Sequence, residues 1–199
     1  MVTRDMTSKK VLLRILKDFS SIHTITALAK ELGLSRVGIW KMVKKLEAER
    51  YITLKTVGSG KTNTSMLALN WDNPLVEKIL SLSLTEEALK QRRWQANFIG
   101  LGSVTDFVIL YGSIVHSPQQ AHDIDIVSVA SKKNFIKIQK TIDEVQKILS
   151  KKIHAINFTE SEFKAELKRQ NKAFIDAVKK GVILFGQENF VRFMKEITR

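Results

Sequence analysis

One break constrains this chain more than any other feature. It has two prolines, Pro74 and Pro118, and Pro74 closes the run Asn70-Trp71-Asp72-Asn73-Pro74, a cluster of turn formers. A chain of 199 residues has room for one or two domains, and this break sets the first 72 apart. Charge divides at the same place. Residues 1–72 hold 13 Lys and Arg against 6 Asp and Glu, whereas 73–199 hold 20 against 14. The expected organisation is a basic domain over 1–72, a connecting helix over 73–98 and a second domain over 99–199.

Composition narrows the function classes. The chain has no cysteine, which excludes disulfides, thiolate catalysis and cysteine-ligated zinc and fits a reducing compartment. No apolar run approaches the ~18 residues of a membrane span, and the start, MVTRDMTSKK, lacks the apolar core of a secretory signal. The expectation is a cytoplasmic protein with no membrane partner. A net charge of +13 favours a polyanionic partner, nucleic acid being the commonest; a generally Lys-rich surface is the plain alternative.

Within the first domain, Val11, Leu12, Ile15, Leu16 and Phe19 recur at helical spacing, with Thr7 or Ser8 able to cap the start. A second helix is expected from Ile25 to Leu32 after a Thr24 cap, and Gly33 stops it. Ser35 then caps a third helix to about Glu49, whose Ile39, Val43 and Leu46 share one face. Ser35, Arg36, Val37, Trp40, Lys41 and Lys44 fall on or beside the other face. Tyr51–Thr56 and Ser65–Leu69 read as strands around a polar loop, Val57-Gly58-Ser59-Gly60-Lys61-Thr62-Asn63-Thr64.

In this order, Leu28-Ala29-Lys30-Glu31-Leu32-Gly33-Leu34-Ser35-Arg36 through Tyr51-Ile52 and the loop resemble the winged helix-turn-helix family over residues 8–70. The resemblance implies three helices plus a β-hairpin wing, and double-stranded DNA as partner. A helix of this kind fits the major groove. Ser35, Arg36, Trp40, Lys41 and Lys44 are then the expected DNA-binding residues on the third helix, with Lys61 in the wing and Lys55 beside it. Trp40 stays open between DNA contact and packing on the second helix or a partner subunit. A winged helix used only for protein contacts is the other reading. The run Gly58-Ser59-Gly60-Lys61-Thr62 looks like a phosphate-binding loop, but Lys55 stands where the motif needs its first glycine, and a strand pattern follows where it needs a helix.

In the second domain, Thr105–Tyr111 reads as a buried strand ending at Gly112-Ser113, and Asp123-Ile124-Asp125-Ile126-Val127-Ser128-Val129 as another. Alternation along a strand points Asp123 and Asp125 one way and Ile124 and Ile126 into the core. The two carboxylates stand about 7 Å apart along the strand and repel each other unless a divalent cation joins them. Magnesium suits carboxylate oxygens together with substrate phosphates, and Gly112 and Ser113 offer an amide and a hydroxyl. His116 and His122 flank the loop before Asp123, without a recognised metal-site spacing, and read as solvated loop histidines.

Tyr111-Gly112-Ser113 followed by Asp123-Ile124-Asp125 resembles the nucleotidyltransferase superfamily that includes DNA polymerase beta and the minimal prokaryotic enzymes, over about 100–190. The resemblance implies a small α/β domain with a mixed sheet, so that the whole chain is expected to be α+β. It implies that Gly112 and Ser113 bind the phosphates of a nucleotide triphosphate. It implies that Asp123 and Asp125 bind Mg2+ (or Mn2+) and carry catalysis. A third carboxylate normally sits on a later strand. The matching segment, Lys152-Ile153-His154-Ala155-Ile156-Asn157-Phe158, has none; His154 and Asn157 are its candidates, while Glu160 and Glu162 suit the start of a helix.

The leading expectation is a DNA-binding, regulator-like protein whose second domain binds a nucleotide triphosphate and magnesium, with nucleotidyl transfer left open. The alternative is an active nucleotidyltransferase on a protein, small-molecule or nucleic-acid acceptor, of toxin–antitoxin or defence type, in which the winged helix recruits the target. That type brings a partner protein into consideration, and paired winged helices favour a homodimer. A non-catalytic interaction module is the third reading.

Overall fold

In a computed structural model, residues 2–57 and 64–198 are described. The fold is α+β: among those residues are ten α-helices and seven strands in two sheets. No described helix is long and apolar enough to cross a membrane. The chain divides into two compact units, the first running to Leu80 and taking in Thr198, the second Ser81–Ile197.

The first unit opens with α1 (Val2–Lys17). The helix begins upstream of the expected caps, so Thr7 and Ser8 lie inside it; no glycine or proline interrupts residues 2–17 to start it later. Its Val11, Leu12, Ile15 and Leu16 are buried. β1 (His23–Thr24) pairs antiparallel with β3 (Thr64–Leu69), which pairs on its other side with β2 (Ile52–Val57). Two residues are too few for a periodic pattern, so β1 is an addition to the expected hairpin. Thr24 ends β1 and caps α2 (Ile25–Leu32), accepting from the Ala27 amide at 3.1 Å.

Gly33 terminates α2 in the left-handed region, φ +64°. The Leu34 amide reaches back to the Ala29 carbonyl at 2.9 Å, so the helix end is closed and α3 (Arg36–Ala48) starts within three residues. Arg14 ties α1 to α2 by donating to Glu31 at 2.6 Å, and it also pairs with the fully buried Asp18 at 3.2 Å.

The segment expected as one connector comprises α4 (Pro74–Leu89) and α5 (Arg92–Asn97), and the division between the units falls inside α4. In the second unit, β4 (Phe107–Tyr111), β5 (Asp123–Val129), β6 (Lys152–Phe158) and β7 (Val182–Phe185) form a mixed sheet in the order β6-β5-β4-β7. Only β5 and β6 run parallel. Such a pair needs a crossover, which contains a 3-10 turn and α7 (Phe135–Gln146). The four-residue α6 (Ser113–His116) follows β4.

One sheet face carries Val108, Leu110, Ile124, Ile126 and Ile153 into an apolar core shared with Trp94, Phe98, Ile138 and Ile142. The other face changes character along its length. At one end Phe107 and Phe158 join Phe163, Phe174, Phe190 and Phe193 in a cluster of rings with centroids 5.0–6.1 Å apart. These rings come from α8 (Glu160–Lys168), α9 (Lys172–Lys180) and α10 (Gln187–Thr198). Thr159 and Glu162 form a reciprocal capping box at the start of α8, which is the helical use expected of Glu160 and Glu162. The other end of that face carries the aspartates.

Candidate functional site

The acidic end is assembled by strand register. Tyr111 of β4 stands opposite Asp125 of β5, and Asp125 stands opposite His154 of β6. Partners in register share a face, so Tyr111, Asp125 and His154 lie side by side across three strands, with Asp123 two residues along. His154 Nδ1 is 3.5 Å from Asp123 Oδ2 and 3.6 Å from Asp125 Oδ1. One ligand atom from each of the three lies within 4.8 Å of the others, and among the described residues this is the group of three His, Asp or Glu side chains able to hold a metal ion.

The chain just past β4 is shaped around this group. Gly112 takes φ +79°, and a Cβ on it would collide with Asp125 Oδ2. The missing side chain is therefore the space in which the carboxylate rests, with the Gly112 backbone against it. Ser113 follows at the start of α6, and both residues are exposed. An exposed amide-bearing backbone and hydroxyl beside a carboxylate pair can face an anion that a cation has brought in.

Electrostatics mark the site as short of positive charge. Burial, and then the negative charge of Asp123, raise the Asp125 carboxyl above its ordinary value, with His154 acting the other way. Tyr111 is raised as well, by burial and then by Asp125 and Asp123. A cation among these oxygens would relieve both.

The two candidates for the third donor separate by facing. His154 is on the aspartate face. Asn157, three residues on, lies on the opposite face beside Ser128, and its Oδ1 is buried with no hydrogen-bond partner. Strand parity alone would have distinguished an even from an odd offset once the pairing with β5 was known. Lys152 shares the face of His154 and stands opposite Asp123, so an exposed ammonium flanks the group. His116 and His122 are exposed and stand outside the metal-competent group.

In the first unit the outer surface of α3 is built by burying its inner one. Ile39, Val43 and Leu46 are buried, which turns Arg36, Val37, Trp40, Lys41 and Lys44 outward, all exposed. Trp40 is 49% exposed, so it is not enclosed against α2. Ser35 accepts from the Gly38 amide at 3.0 Å, leaving its own hydroxyl hydrogen free to donate. Lys44 pairs with Glu47 at 2.9 Å, while Arg36 and Lys41 have no ion-pair partner among the described residues. Lys61 lies outside the described residues, as do the other residues of 58–63. β3 follows that loop, where a phosphate-binding loop would lead into a helix.

Comparison with protein families, with curated proteins and with solved structures finds no match to this chain.

Proposed function

We propose that this is a DNA-binding, regulator-like protein with a winged-helix first unit and a nucleotidyltransferase-like second unit that takes a nucleotide triphosphate with a divalent cation. The observation that carries this reading is the convergence of Asp123 and Asp125 beside the Gly112-Ser113 turn. Two like charges held side by side, with the neighbouring backbone cleared of a side chain, form a poor resting arrangement and a good cation cradle. The donor set fits a divalent cation: two carboxylates match its charge, and an exposed serine and backbone lie where a triphosphate bridged to it can be met.

When bound, the cation supplies charge neutralisation at the phosphates and a template for in-line displacement. The protein's own part is positional. Asp123 and Asp125 hold the cation; Gly112 and Ser113 offer hydrogen bonds to phosphate oxygens; Lys152 adds positive charge at the rim. In nucleotidyl transfer an acceptor oxygen would bond to the α-phosphorus as the bond to pyrophosphate breaks, with the acceptor's proton passing to a nearby base or water.

The enzyme-first reading gains from one observation. His154 faces the aspartates and gives the site a third donor, so the absence of a third carboxylate is not the absence of a third ligand. Labelled nucleotide triphosphates, a divalent cation and cell lysate decide between the two. Transfer by the wild type that vanishes in Asp123→Ala/Asp125→Ala supports the enzyme. Cation-dependent triphosphate binding without transfer supports the regulator, and neither in a folded protein overturns both.

For the first unit, the outward face of α3, where Arg36 and Lys41 have no ion-pair partner among the described residues, supports major-groove binding. Duplex DNA binding that survives Arg36→Ala with Lys41→Ala would remove α3 as the reading helix. A homodimer would present two such helices, and sedimentation on palindromic DNA tests for it.

A further inference from the structure

We propose that His154 is a direct metal ligand and that it turns the site from magnesium toward a divalent transition-metal cation. This rests on the metal-dependent reading above and specifies which cation that site selects.

His154 Nδ1 is 3.5 and 3.6 Å from the two carboxylates, longer than a charge-assisted N–H···O bond, which runs about 2.7–2.9 Å. The imidazole faces both carboxylates and closes tightly on neither. Donors around one cation have this kind of spacing. With bonds of about 2.1 Å, adjacent ligands of a compact octahedral ion lie about 3.0 Å apart, while a tetrahedral arrangement puts them about 3.4 Å apart. The two His154 separations lie just above the tetrahedral value, and all three donor atoms fall within 4.8 Å of one another.

Chemistry points the same way. Magnesium demands oxygen donors and gives up its waters reluctantly. Imidazole nitrogen suits zinc, copper, iron and nickel, and the affinity of a mixed nitrogen and oxygen site rises from Mn2+ to Cu2+ and falls again at Zn2+. A third carboxylate would bring a third negative charge and favour hard cations. A neutral imidazole brings none, so Asp123 and Asp125 together balance a single dication. The β5–β6 ladder pairs seven consecutive residues from Asp123↔Lys152 to Val129↔Phe158, so the donor is held by backbone register rather than by a loop.

Mn2+ is the probe, because its spin reports both affinity and ligand type. The full chain, stripped of metal, is titrated with Mn2+ and the bound ion is examined by pulsed electron paramagnetic resonance. A nitrogen coupling on bound Mn2+ is expected. Mg2+ is expected to displace the ion only at an excess of roughly tenfold or more over the same competition in His154→Asp. His154→Asp should lose the nitrogen signal and narrow the preference, and Asp123→Asn should abolish specific binding in both backgrounds. Bound Mn2+ without nitrogen coupling, or an unchanged preference in His154→Asp, overturns the inference and leaves the proposed function standing. No binding of either cation by the wild type, with or without nucleotide triphosphate, overturns both. If the variants fail to fold, the nitrogen coupling in the wild type still decides the matter.

Discussion

Gly112 leaves empty the volume that the Asp125 carboxylate fills. A Cβ at 112 would strike Oδ2 directly and approach Cγ to 3.3 Å, at a backbone angle of φ +79° that side chains rarely adopt. Gly112→Ala therefore meets two penalties at once. It should cost about 1–3 kcal/mol of stability and push Asp125 out of line with His154. Thermal melting measures the first effect and Mn2+ affinity the second. A variant that melts and binds like the wild type would show that the close approach is incidental.

On α3, Arg36 and Lys41 have no ion-pair partner among the described residues, while Lys44 is held by Glu47 at 2.9 Å. Arg36→Ala with Lys41→Ala should weaken DNA binding across all sequences and reduce the salt slope by about 2 if each meets a phosphate. Lys44→Ala should do less, since Lys44 must first leave its partner. Because the first two side chains are exposed, the melting temperature should not move. Fluorescence anisotropy at several salt concentrations gives both quantities.

His23 links stability to acidity in the first unit. It is buried, and its Nε2 lies 3.0 Å from the Asp18 carbonyl. Burial pulls its pKa below the ordinary 6.5, against the opposing pull of Asp18. The unfolded chain then takes up the proton first as pH falls. Stability is full above about 6.5 and declines from there down to the lowered folded value, where the loss levels off. Denaturant unfolding at pH 7.5 and 5.5 should show this decline in the wild type and a smaller one in His23→Gln. Equal declines would mean that another group controls it.

Phe163 is fully buried, and its ring lies 5.6–6.1 Å from Phe107, Phe158, Phe174 and Phe193. Phe163→Ala should cost about 3–5 kcal/mol, and Phe163→Leu clearly less. Urea denaturation followed through the second unit's tryptophan, Trp94, checks this, and a cost below 1 kcal/mol would mean that the cluster collapses around the gap.

Much of the first unit is legible because its signals are local. Thr24, Gly33 and Ser35 each do at a helix end what their chemistry favours, so α2 and α3 can be bounded from sequence. The facing of Asp123 and Asp125 follows from alternation within one strand. β1 is not legible, since His23 and Thr24 become a strand only by pairing with Leu67 and Met66, more than 40 residues on. The choice between His154 and Asn157 is hidden for the same reason: it depends on which β5 residue each one opposes. The ring cluster draws on phenylalanines from 107 to 193, and no window of sequence displays it.

The two ends of one sheet face answer to different demands. The aromatic end is interlocked, and any change there disturbs several neighbours. The acidic end is open, and each side chain hangs from a backbone already pinned by its ladder. Mutation can therefore exchange one donor for another, a histidine for an aspartate or the reverse, without reopening the question of how the chain folds. The fold leaves its chemistry adjustable in single evolutionary steps.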